Sequence, residues 1–138
     1  MRLRFNNIQE RIKGTFLETL DITILEDDDS ETLIGRMPVY QAYSQTMGVL
    51  HGGVTIALAE TVSGVGSNNI CAENERCYGM QISASHISSA HIGDTVVATA
   101  RLQHKGQMTH VWDVDVVSET TRKLISTVRI TNAVLKQK

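Results

Sequence analysis

Gly52-Gly53-Val54-Thr55-Ile56-Ala57-Leu58-Ala59-Glu60-Thr61-Val62-Ser63-Gly64-Val65 is the one long stretch of the chain without period-two alternation. Its apolar residues fall almost all round a helical wheel, and such a helix is buried rather than laid on a surface. On either side the period is two. Downstream, Met80, Ile82, Ala84 and His86 alternate with Gln81, Ser83, Ser85 and Ile87, and Val96, Ala98, Ala100 and Leu102 alternate with Val97, Thr99, Arg101 and Gln103. After a turn at Lys105-Gly106-Gln107, residues 110–116 alternate through Trp112 and Val114, residues 118–121 turn, and residues 124–134 continue the period. Three consecutive antiparallel strands are therefore expected after the one at Met80. Upstream, residues 20–24 and 32–37 form a hairpin around the acidic turn at 27–30, and Ile8, Ile12 and Phe16 suggest a short helix capped by Asn6 or Asn7. A sheet of five or six strands has to wrap around the central helix to bury it, which is an α+β architecture in one domain spanning residues 1–138.

Composition narrows the function classes. The 138 residues are 41% hydrophobic and 20% charged with a single Pro, so the chain folds rather than staying disordered. Thirteen Lys plus Arg against fifteen Asp plus Glu give a net charge of -2, without the basic excess of a nucleic-acid binder. The N-terminal residues run into polar sequence with no apolar region behind them, so the expectation is a cytoplasmic protein with no membrane partner. Cys71 and Cys77 have neither C-x-x-C spacing nor a neighbouring His and read as reduced structural thiols. The five histidines show no metal-ligand spacing, so no metal is expected.

One charge stands out. From Met37 through Ala72, the overall charged fraction predicts about seven charged side chains, and Glu60 is the only one. It lies eight residues into the helix beside Ile56, Ala57, Ser63 and Gly64, off any solvated face by this reading. An ionised carboxylate there costs several kcal/mol unless paired, hydrated or required, so it is either hydrogen-bonded across the core or functional. The helix opens at His51-Gly52-Gly53, where first-turn N–H groups are free to act as donors to an oxyanion or phosphate. A carboxylate as nucleophile or general base, with backbone donors for a developing alkoxide, is the minimal equipment for acyl transfer. A serine-hydrolase elbow is absent because Thr61 stands two places before Ser63, and Gly64-Val65-Gly66 lacks the third glycine of a dinucleotide fingerprint.

Gln45-Thr46-Met47-Gly48-Val49-Leu50-His51-Gly52-Gly53 followed by Ala57-Leu58-Ala59-Glu60 resembles the hotdog-fold acyl-CoA thioesterases. The resemblance is to the branch with 4-hydroxybenzoyl-CoA, phenylacetyl-CoA and 1,4-dihydroxy-2-naphthoyl-CoA thioesterases, and it spans most of the chain. It implies that Glu60 is the catalytic carboxylate, attacking the thioester or activating water, that Gly52 is the backbone donor to the carbonyl, and that Gln45 and His51 position thioester and water. It further implies Ser63 as a water- or substrate-contacting hydroxyl, and His86, Ser88, Ser89, His91, Lys105 and Gly106 as substrate-binding positions. Two departures from the branch stand in this chain: Gly64 occupies the place of a Ser or Thr four residues after the Glu, and Ser88 that of a basic residue two positions after the His. The implied activity is hydrolysis of an acyl-CoA, with no cofactor because coenzyme A is part of the substrate. A non-catalytic acyl-CoA-binding module and a hotdog hydratase or dehydratase are the alternatives. Gly52 and Glu60 are eight residues apart, about 12 Å along one helix, which one Glu side chain cannot span. Both act on one thioester only if a two-fold partner supplies one of them. A homodimer is therefore expected, with the resemblance adding a further pairing into tetramers.

Overall fold

The structure is a computed structural model that describes residues 1–4 and 8–138. Six strands, Thr23–Leu25 (β1), Thr32–Pro38 (β2), Glu75–His86 (β3), Thr95–Lys105 (β4), Thr109–Ser118 (β5) and Leu124–Lys136 (β6), form one antiparallel sheet. Their order across the sheet is β1-β2-β4-β5-β6-β3. The expected meander is β4-β5-β6, and the helix Gly52–Ile70 (α3) crosses the sheet between β2 and β3, so β3 returns to the far edge beside β6. Two one-turn helices, Ile8–Arg11 (α1) and Phe16–Thr19 (α2), precede the sheet.

Packing explains why α3 sits where it does. Leu58, Ala59 and Val62 are buried against Leu33, Ala98, Ala100, Val114, Val128 and Ile130 of the sheet. At Gly66 the helix lies close on the sheet, since an added Cβ would come within 2.7 Å of the Trp112 ring. Ser67, one residue on, is fully buried, and its Oγ accepts from Trp112 Nε1 at 2.8 Å and from Asn132 Nδ2 at 2.9 Å. Those two donors leave the Ser67 hydroxyl proton for His110 Nδ1, 2.9 Å away. His110 is thereby fixed as the neutral tautomer with its proton on Nε2.

The elements differ from the sequence reading in several places. The N-terminal helix is split at Gly14, whose φ of +76° ends the first turn, and Thr15 caps the second by accepting from the Leu17 N–H at 3.2 Å. Its expected cap at Asn6 or Asn7 lies outside the described residues. The first hairpin strand is shorter than expected because Asp21 is left-handed, with φ of 56°. Helix α3 runs five residues past Val65 through Ser67 and Asn68, residues of modest helix propensity held by tertiary hydrogen bonds. Finally, the helix is not buried all round: its sheet-facing side is buried, while Ile56, Ala57, Thr61, Gly64 and Val65 are only partly covered.

Strand β3 carries one irregularity. Gly79 faces Asn132 and Gln81 faces Thr131, so Met80 is an extra residue looped out in a bulge, and it is 62% exposed instead of alternating inward with Ile82. Before the bulge Cys77 is the inward residue; after it Ile82 and Ala84 pack on the core. The bulge thus lets both runs face the helix.

Candidate active site

The helix N-terminus is built around His51. Its Nδ1 accepts from the Gly53 N–H at 2.8 Å, capping α3, while its carbonyl accepts from Val54 and Thr55. Of the first-turn donors, that leaves the Gly52 N–H without an acceptor among the described residues. The ring of His86 lies directly over Gly52, where an added Cβ would come within 2.9 Å of Cδ2, and its Nδ1 pairs with Ser126 Oγ at 2.6 Å. Gln45 sits in the loop before the helix. Its Oε1 accepts from the Met47 N–H, so its NH2 is the group available for a ligand. Gln45, Gly52, His86, Ser88 and Ser89 line one cavity of about 180 Å³. Ser88 Oγ already donates to the Leu124 carbonyl at 2.5 Å.

Glu60 lies elsewhere. It is exposed within this chain, which corrects the expectation that it sits off any solvated face. It opens into a second, mainly apolar cavity of about 420 Å³ whose walls include Phe16, Leu17, Ala57, Val65 and Tyr78. The carboxylate rests against strand β3 at Gly79, where an added Cβ would come within 3.2 Å of Cδ. The separation of the two cavities follows from the unbroken helix between Gly52 and Glu60, about 12 Å of axial rise.

The remaining sequence candidates scatter. Ser63 reaches neither cavity: it is fully buried on the sheet side, its hydroxyl donates to the Glu60 carbonyl at 3.1 Å, and its own carbonyl accepts from Asn132. His91 lies beside Asp94 and Thr120 at a third depression, although its backbone bridges to Val49 next to the Gln45 loop. Lys105 and Gly106 line a polar groove with Glu75, Gln107 and Lys136 at the β4–β5 turn. Cys71 and Cys77 are both free, and burial beside the Cys71 thiol pushes the Cys77 thiol up to about 12. The sequence reading missed Gly79 and the apolar residues Phe16, Leu17 and Tyr78 around Glu60; a glycine inside a strand pattern was the available signal for a bulge or a close approach.

An antiparallel sheet wrapped around a single long helix is the hotdog fold. The family model of the Thioesterase superfamily matches residues 47–125, which takes in the Gln45 loop's end, the whole of α3 and most of the sheet. The ComA2 protein of Bacillus subtilis is 39% identical over 127 residues, covering 91% of this chain and 98% of that one. The 1,4-dihydroxy-2-naphthoyl-CoA hydrolase of Listeria monocytogenes is 34% identical over 121 residues, 88% of this chain and 96% of its own. Among solved structures, a thioesterase of Haemophilus influenzae superposes with a TM-score of 0.89 at 29% identity, covering 99% of this chain and 93% of that one. The chain belongs to the thioesterase superfamily and is a thioester hydrolase. Among the described residues, no helix is long and apolar enough to cross a membrane.

Proposed function

We propose that the protein hydrolyses an acyl-CoA to the free acid and coenzyme A, with Glu60 as nucleophile or general base and the Gly52 N–H as the donor to the thioester oxygen. The single observation that carries this is the unengaged Gly52 N–H at the mouth of a cavity shared with Gln45. As the carbonyl carbon becomes tetrahedral, its oxygen gains charge that this donor stabilises in place, with no reorganisation cost at that moment. Gln45 directs its NH2 to the same thioester, and His51, whose Nδ1 is occupied by the cap, can offer only Nε2–H. The carboxylate either attacks the carbonyl to give an acyl-enzyme anhydride that water then opens, or takes the proton of the attacking water. In both cases the C–S bond breaks; in the general-base route the thiolate takes the proton that Glu60 removed from water, and in the anhydride route it takes one from solvent. The chemistry draws on water, side chains and the backbone donor and calls for no cofactor or metal.

The distance between the cavities supports a site made from two chains. A two-fold partner would bring its Glu60 to this chain's Gly52, and the partly covered outer face of α3 and the free edge of β3 are the surfaces available for that contact. Cavity walls such as Phe16, Leu17 and Val65 favour an apolar or aryl acyl group, of which the naphthoyl group named for the Listeria relative is one example. The test is thiol release measured across short, long-chain and aromatic acyl-CoAs, with Glu60→Gln beside wild type. Turnover on one class, reduced about 100-fold or more in the folded variant, is expected. Binding without thiol release would favour an acyl-CoA-binding module, and unchanged turnover of Glu60→Gln would remove Glu60 from the mechanism.

A further inference from the structure

We propose that Gly79 is a positioning residue for the Glu60 carboxylate: the absence of a side chain at this one place on β3 sets where the carboxylate rests. This depends on the reading of Glu60 as the acting group. Three observations carry it. First, all three atoms nearest to a Cβ built on Gly79 belong to Glu60, with Cδ at 3.2 Å, Cγ at 3.4 Å and Oε1 closer still. Second, the glycine is not required by its backbone. The left-handed glycines of the chain are Gly14, Gly48 and Gly93, so at Gly79 an L-residue could adopt the same conformation and would bring better strand propensity. Third, the strand is held to the helix at a fixed height just before this point. Asn68 of α3 accepts from the Cys77 N–H and donates to the Cys77 carbonyl, both at 2.9 Å, and its amide also donates to the Gly64 carbonyl one turn after Glu60.

Together these make the β3 backbone a floor beneath the carboxylate. Asn68 fixes the spacing between helix and strand, and Gly79 keeps the space between them for the end of the Glu60 side chain. The Met80 bulge follows at once and accounts for the register shift with β6, while the close contact at position 79 itself is with Glu60. The three atoms nearest to a methyl group at Gly79 all belong to the flexible end of Glu60. The side chain would swing away at little cost to the fold, and the carboxylate would leave its attacking position.

The experiment is Gly79→Ala, read for kcat, KM, thermal unfolding and affinity for a non-hydrolysable thioether analogue of the best acyl-CoA found in the panel. The expected result is a kcat lowered by about 100-fold, as for a reacting group displaced by about 1 Å, with KM, analogue affinity and unfolding temperature close to wild type. Gly79→Val should lower kcat further along the same line. A wild-type kcat in Gly79→Ala, or a loss of activity matched by a loss of folded protein or of analogue binding, overturns the proposal. Glu60→Gln separates this from the reading beneath it. If that variant keeps its turnover, the assignment of Glu60 fails; if it is inactive while Gly79→Ala is not, only the positioning role fails.

Discussion

Ser67 shows how much one hydroxyl can organise in this chain. It is fully buried, takes the indole N–H of Trp112 and the amide of Asn132, and hands its proton to His110. Removing it strands two buried donors and one acceptor, and each buried polar group left unpaired costs about 1–3 kcal/mol. Ser67→Ala should therefore lower the unfolding free energy measured in urea by about 3 kcal/mol or more, with turnover per folded molecule retained because Ser67 lines none of the cavities described above. The same cluster makes stability depend on pH. Burial holds the His110 imidazole below its ordinary value of 6.5, so below that pH the unfolded chain binds a proton that the folded chain refuses. The stability it confers is complete above about 6.5 and declines as pH falls toward the folded value. Urea titrations at pH 7.5, 6.0 and 5.0 should show that decline, and His110→Phe should flatten it.

At the scale of elements, the helix and strands were legible to different depths. The central helix announced itself through the one run lacking alternation, and the meander through its turns, because both signals are local periodicities. The last five residues of α3 were not legible, since Ser67, Asn68 and Asn69 are poor helix formers and owe their conformation to partners far along the chain. The Met80 bulge was hidden for a related reason: alternation of Met80 with Ile82 looks regular in one dimension, and only the pairing with β6 shows the extra residue. The same contrast applies to the site. Glu60 is marked by its isolated charge, Gly52 by its place at the start of the helix and Gln45 by the family resemblance alone, whereas Gly79 is recognised only when the strand lies against the carboxylate. Asn68 tests how far the helix secures that strand. Asn68→Ala removes both bonds to Cys77 and should speed amide exchange across residues 75–79 at least about tenfold, while residues 109–118 in the sheet interior stay protected.

For the whole molecule, the decisive fact is that one continuous helix carries Gly52 and Glu60 about 12 Å apart. If both serve one thioester, two inactive folded variants, Glu60→Ala and Gln45→Ala, should regain activity when their subunits are exchanged. One of the two interfaces in a mixed dimer then receives both residues unmutated. Activity near one quarter to one half of the wild-type sites is expected in such a mixture, and verified exchange with no recovery would show that the site is made within one chain. The buried cluster at Ser67 offers a way to watch the fold of each chain in such a mixture. Trp112 is the only tryptophan in the sequence, and its indole N–H is bonded to the central helix itself. Its emission therefore carries an optical record of whether that helix is seated, readable in a cuvette without any label and separable from the chemistry at either end of the helix.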